Sequence, residues 1–141
     1  MRANLLEVRD LRKYFPLPKT SYIGAKRVVK AVDGVSFSLR EGETLSLVGE
    51  SGCGKSTTGR AILQLLKPTS GSVLFEGSEI VGTPSREMRT LRQKMQIIFQ
   101  DPGSSLDQKM TIGEAIAEPI RIHKTLPRSA IESRVKEIMR L

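Results

Sequence analysis

At 141 residues, with 38% apolar and 27% charged residues, the chain has the length and balance of about one globular domain and is not a disordered one. Its apolar runs are too short to span a bilayer, the start MRANLLEVRD lacks the apolar stretch of a secretory signal, and the single cysteine, Cys53, excludes an internal disulfide, which together point to the cytosol. The net charge of +8 is dispersed over Lys26, Arg27 and Lys30, then Arg86, Arg89, Arg92 and Lys94, then Arg128 to Arg140, with no aromatic residues interleaved, so no dedicated nucleic-acid site is expected.

In chain order, LLEVRDL (5–11) sets Leu6, Val8 and, less cleanly, Leu11 against charged neighbours, the pattern of a half-buried strand. YFPLPKTSYIGAKR (14–27), with two prolines and a glycine, reads as a long loop. The alternating VSFSL, a turn at Glu41-Gly42 and the apolar TLSLV predict a hairpin, with TLSLV a central strand covered on both faces. TTGRAILQLL places Ala61, Ile62, Leu65 and Leu66 on one face of a helix that stops at Lys67, before Pro68. SVLFEG (72–77) is a further strand, Thr83 caps a helix with Pro84 at its first position and SREMRTLRQK beyond, and QIIFQ (96–100) reads as a buried strand. After the loop DPGSSLDQKM, Thr111 and Glu114 have capping-box spacing ahead of TIGEAIAEPIRI, where Pro119 is expected to kink the helix. The last run, SAIESRVKEIMRL, carries Ile131, Val135, Ile138 and Met139 at helical spacing.

Between the TLSLV run and the first helix lies GESGCGKST, in which Gly49-x-x-x-x-Gly54-Lys55-Ser56 has the spacing of a P-loop. Each residue type has a physical reason. Gly49, Gly52 and Gly54 let the backbone adopt conformations barred to other residues, so that its N–H groups close around an anion. A helix opening near Lys55 turns its free N–H groups and partial positive charge on that anion. Lys55 adds a full charge for terminal phosphates, and Ser56 offers a small oxygen to Mg²⁺. A dinucleotide-binding reading fails, because Gly52-Cys53-Gly54-Lys55-Ser56-Thr57 lacks the third small residue of G-x-G-x-x-G. Cys53 within the loop reads as a small residue tolerated there, and as a handle for alkylation.

The chain resembles the ATP-binding subunits of ABC transporters, in their oligopeptide and dipeptide importer branch. The resemblance runs over nearly the whole chain, from LLEVRDLRKYFPLP, through VVKAVDGVSFSLREGETLSLVGESGCGKSTTGRAIL and PTSGSVLFEG, to MQIIFQDPGSSLDQKMTIGEAIAEPIRIH. The long insert between the first two strands is typical of that branch. The resemblance implies an α/β P-loop NTPase of the ABC type. It would comprise an antiparallel β subdomain and part of a RecA-like core over 1–101, with an incomplete helical subdomain from 102 to 141. It implies ATP and Mg²⁺ as ligands, with Phe15 stacking on adenine, neighbouring Tyr14 as the alternative, and Ala31 as a second adenine contact. Gly49, Glu50, Ser51, Gly52, Cys53, Gly54, Lys55, Ser56 and Thr57 would wrap the phosphates. Lys55 and Gln100, the Q-loop glutamine of IFQDP, are the expected catalytic residues, and Ser56 and Gln100 the expected Mg²⁺ ligands. The implied partners are transmembrane permease subunits, a second ATP-binding subunit and, indirectly, an extracytoplasmic solute-binding protein, at the cytoplasmic face of the inner membrane.

Two departures touch the region that faces the membrane subunit in relatives. Gly103 replaces an aromatic of the family's DPYSSLNPRMT, and Asp107-Gln108 replaces Asn-Pro. The family's remaining catalytic parts are an apolar strand ending in Asp-Glu, a signature of the LSGGQ type and a switch histidine. None occurs in this sequence, and His123 reads as a surface or packing residue. The chain therefore reads as the front of a longer protein, poorly folded by itself and hydrolysing little ATP. Two other classes remain open at this point: a P-loop kinase, and a non-transport ABC ATPase acting on nucleic acid.

Overall fold

A computed structural model describes residues 4–18, 27–99 and 101–141, without the side chains of Pro102 and Ser104. The fold divides into two compact units, Met1–Pro84 and Ser85–Leu141.

In the first unit, β1 (Asn4–Pro16) lies between β2 (Val28–Arg40) and β3 (Ser70–Phe75), and β4 (Ser78–Glu79) closes the order β2-β1-β3-β4. Every pairing is antiparallel. The irregular spacing of Val8 and Leu11 has a structural cause. Val8 pairs with Phe37 and Leu11 with Val35, so two residues of β1, Arg9 and Asp10, face one of β2. This bulge resets the alternation and brings both Val8 and Leu11 into the core. Asp10 takes the strain at φ 45°, and its N–H donates to Ser36 Oγ at 2.8 Å. On the β3 side the same bulge opposes Gly71, where a Cβ would lie 2.5 Å from the Asp10 carbonyl oxygen. The glycine of PTSG is thus required by the close approach of two strands.

Several expectations are corrected. The expected loop begins three residues later, because Tyr14, Phe15 and Pro16 pair with Lys30, Val29 and Val28. The last β1–β3 pair is Arg12↔Ser70, so Pro16, which lacks an N–H, sits where that edge of β1 has no neighbouring strand. The part of the loop at 19–26 lies outside the described residues. TLSLV forms no strand: 43–50 has no regular structure, and Val48 is 93% exposed. QIIFQ fares likewise over 96–99, where Ile98 is 97% exposed. A strand exists only by its ladder, and no described segment pairs with either run. The antiparallel partner of β2 is β1.

The helix after the glycine loop, α1, spans Lys55–Ile62 and ends short of the expected Lys67. Gln64 turns left-handed at φ 53°, and the N–H groups of Leu65 and Leu66 both reach back to the Arg60 carbonyl, at 2.9 and 3.1 Å. Ala61 and Ile62 are buried as expected, whereas Leu65 is exposed. Together with Val8, Leu11, Val32, Val73, Phe75 and Ile80 they make the core of this unit.

The second unit holds α2 (Ser85–Leu91), α3 (Pro102–Ser105), α4 (Ile112–His123) and α5 (Arg128–Ile138). The short α3 falls inside the expected loop, because Asp101 accepts the Gly103 N–H at 3.0 Å and nucleates one turn. The capping box of α4 is complete. Thr111 Oγ1 accepts the Glu114 N–H at 3.3 Å, and Glu114 Oε2 accepts the Thr111 N–H at 2.9 Å. The helix continues through Pro119 to Lys124, which ends it in the left-handed region. Ala117, Ile131 and Val135 pack α4 against α5, flanked by Ile116 and Ile120.

The Thr111 backbone N–H, then its hydroxyl, hold the Glu114 carboxyl below the usual glutamate range. A carboxylate with a lowered folded-state pKa supports the fold above its ordinary pKa, and this support fades as pH falls through the lowered value. The first turn of α4 should therefore fray as the pH falls below the ordinary glutamate range. The NMR shifts of Ile112–Ala115 should move with the Glu114 titration. Glu114→Gln should abolish that movement, and persistence of the transition would show that another group controls it.

Candidate functional site

Residues 49–57 build a loop whose geometry follows from its glycines. Gly52 and Gly54 have φ of 82° and 98°, in the region that side chains disfavour. The Cys53 N–H donates to the Glu50 carbonyl at 3.3 Å, making the turn between them. Gly49 leaves room for the Cys53 side chain, since a Cβ there would meet Sγ at 2.7 Å. The Lys55 ammonium bends back into the loop. It donates to the carbonyls of Gly49 and Glu50, at 2.7 Å each, and stands 3.5 Å from Cys53 Sγ. A full positive charge is thus held inside a ring of main chain.

The N-terminus of α1 is open to an anion. Gly54 caps it with no side chain, and no acidic residue lies in its first turn. Its first rung runs from the Thr58 N–H to the Gly54 carbonyl at 2.8 Å, so the N–H groups of Lys55, Ser56 and Thr57 precede the ladder. Their dipoles and the Lys55 charge have the same sign. Ser51 and Ser56 are exposed, and Thr57 is half-buried.

The sheet supplies the floor. Lys13 pairs with Val32 and Tyr14 with Lys30, leaving Ala31 as an extra residue on β2. At this bulge the Ala31 carbonyl lies so close to Gly54 that a Cβ there would stand 2.1 Å from the oxygen. Ala31 and the loop are therefore in contact. Phe15 is 37% exposed and pairs with Val29, two residues from Ala31. Tyr14 is engaged elsewhere: its hydroxyl donates to Asp33, and Lys30 lies over its ring at 5.4 Å. The Asp33 bond, with burial second, raises the Tyr14 pKa. Asp33 also pairs with Lys30 at 3.1 Å and with Arg12 at 3.8 Å.

Gln100 lies outside the described residues. Sequence reasoning passed over Thr58, which is buried and whose hydroxyl and N–H both hold the Gly54 carbonyl, at 3.0 and 2.8 Å. Its position three residues before Ala61, on the apolar face of α1, was the available signal. In the second unit, an open groove of about 1070 Å³ between α4 and α5 includes Ala117, Ile131 and Val135 in its lining and none of the loop residues. Among the described residues, no helix is long and apolar enough to cross a membrane.

Comparison with known proteins decides the family. A profile described as ABC transporter matches residues 32–141. The chain belongs to the ABC transporter family. Among curated ABC transporter proteins it is 44% identical over 139 residues to the oligopeptide transport ATP-binding protein AppF of Bacillus subtilis strain 168, covering 98% of this chain and 42% of that protein. It is 48% identical to the oligopeptide transport ATP-binding protein OppF of Escherichia coli strain K12, with the same coverages. It is also 48% identical to the glutathione import ATP-binding protein GsiA of that strain, over 93% of this chain and 21% of GsiA. The chain thus spans about two fifths of the length of the first two relatives.

Solved ABC structures agree on the fold. The ATP-binding cassette MJ0796, in a dimeric post-hydrolysis state with ADP and Pi, superposes with a TM-score of 0.74 at 23% identity, over 94% of this chain and 54% of that one. The cbiO1 protein of Clostridium perfringens, part of the ABC transporter complex cbiONQ, gives 0.67 at 26% identity, over 97% and 49%. The fold is the α/β P-loop architecture of ABC cassettes, including its antiparallel sheet.

Proposed function

We propose that the chain is the nucleotide-gripping front portion of the ATP-binding subunit of an ABC importer, with peptides as the transported class. The observation that carries this is the loop at 49–57, where an inward ammonium and three helix-terminal amides share the ring closed by left-handed Gly52 and Gly54. This donor set fits a polyphosphate. Ser51 to Thr57 hold its oxygens, Lys55 the terminal phosphates, and Gly49 and Glu50 complete the ring. The bulged Ala31 meets the nucleotide beside Gly54, and exposed Phe15 offers its face to the base, a role open to it because Tyr14 is tied to Asp33.

The Ser56 hydroxyl suits a Mg²⁺ ligand, and Gln100, by resemblance, joins it and orients the attacking water. Bound Mg²⁺ neutralises phosphate charge and aligns the terminal phosphoryl group. Lys55 stabilises the charge that develops there. Hydrolysis, coupling to permease subunits, pairing with a second ATP-binding subunit and attachment to the cytoplasmic face of the membrane belong to the full-length subunit. The AppF and OppF likeness supports peptides as the cargo.

The test is calorimetry of Mg-ATP on the full-length protein, followed by turnover in the assembled transporter. Gln100→Ala should leave the Mg-ATP affinity within about twofold and lower coupled turnover at least tenfold, the scale of a lost water-orienting group. Equal loss of affinity in Gln100→Ala and Lys55→Ala would refute the assignment of Gln100. No binding of Mg-ATP by the folded wild type would refute the proposal.

A further inference from the structure

We infer that Lys13 is the positioning residue for the adenine platform, fixing the Phe15 ring and leaving it a single face for the base. The inference rests on the reading of Phe15 as that platform. Lys13 and Phe15 are two apart on β1 and so project to the same side of the sheet. The Lys13 ammonium lies over the Phe15 ring, 5.0 Å from its centroid, an attractive placement of a cation on an electron-rich face. It is anchored there by a 2.7 Å bond to the Lys67 carbonyl.

The anchor is what turns a contact into a device. Lys67 follows α1, whose opposite end receives the phosphate loop. The backbone thus leads from the loop along α1 and through the turn after it, where the Leu65 and Leu66 N–H groups bond back to the Arg60 carbonyl. From there it reaches the Lys67 carbonyl, the Lys13 ammonium and the ring. Thr69 reinforces it, its hydroxyl accepting the Tyr14 N–H at 2.9 Å and its own N–H meeting the Arg12 carbonyl at 2.7 Å. With one face covered by the ammonium, a base stacks only on the other. A half-exposed ring without this support would have to be ordered each time a nucleotide arrived.

The experiment compares Mg-ATP with Mg-tripolyphosphate, which has the phosphates and no base, by calorimetry on the full-length protein. The readout is the ratio of the two affinities. Phe15→Ala should lower the ATP to tripolyphosphate ratio about tenfold, the scale of one lost stacking contact. Lys13→Met should lower it roughly two- to fivefold, the scale of an exposed cation–ring contact. Lys13→Arg, which keeps a cation over the ring, should restore the wild-type ratio. Should Lys13→Met fail to fold, Lys13→Gln keeps a donor for Lys67 without the charge and carries the same expectation. A lowered ratio in Phe15→Ala with an unchanged ratio in the uncharged Lys13 variant overturns the role of Lys13 and leaves the platform standing. Equal loss of both affinities in that variant overturns it as well. An unchanged ratio in Phe15→Ala removes the platform, and the inference with it.

Discussion

Lys55→Ala in the full-length protein is expected to weaken Mg-ATP binding about 100-fold, which corresponds to roughly 3 kcal/mol, the upper range for hydrogen bonds to a charged group. Two losses combine. The polyphosphate loses its nearest full positive charge, and the loop loses the ammonium that ties the Gly49 and Glu50 carbonyls together at 2.7 Å each. The carbonyls belong to an exposed segment and water can replace the lost donor, so the thermal transition should move little. Calorimetry and a melting curve on the same sample separate the two effects. Wild-type affinity in a folded Lys55→Ala protein would show that the anion lodges elsewhere.

Gly54→Ala should damage both the fold and the site, and Gly52→Ala serves as its internal comparison. Both residues have positive φ, 82° at Gly52 and 98° at Gly54, so either alanine costs about 1–2 kcal/mol in backbone conformation alone. The surroundings differ. A Cβ on Gly52 meets nothing within 4 Å, whereas on Gly54 it would stand 2.1 Å from the Ala31 carbonyl oxygen, a main-chain atom that cannot rotate away. Relief requires shifting β2 or the start of α1, and the N–H and hydroxyl of Thr58 hold that start to Gly54. A total of roughly 3–5 kcal/mol is expected for Gly54→Ala, with loss of Mg-ATP binding. Equal denaturation midpoints and slopes for the two variants would mean that the Ala31 contact carries no weight.

The candidate site and the fold were legible in the sequence to different degrees. The glycine loop at 49–57 is a local device, and local devices are written contiguously: glycines for φ, a lysine for charge, a helix start without a side-chain cap. The Thr111–Glu114 box was readable for the same reason. Elements defined by distant partners were not. TLSLV and QIIFQ have the composition of buried strands, yet a strand needs a ladder, and none of the described segments provides one. The extension of β1 through Tyr14 and Phe15 depends on Val29 and Lys30, which no reading of YFPLP could supply. Phe15 and Ala31 entered only through resemblance, since an aromatic near a proline and an alanine in a strand announce nothing by themselves. Lys13 did not enter at all, because its meaning lies in a carbonyl more than fifty residues away.

The bulge at Ala31 has an implication for how this architecture tolerates change. What reaches toward Gly54 is peptide oxygen, common to every amino acid, so the identity of the side chain at that point matters less than how many residues β2 spends between Lys30 and Val32. Remove the surplus one and the pairing would run without a break from Lys13 to Tyr14, and nothing would then hold that oxygen against the glycine. The proposed grip on phosphate would, in this sense, be secured by an irregularity in a neighbouring ribbon, and a more perfect sheet would make a poorer one.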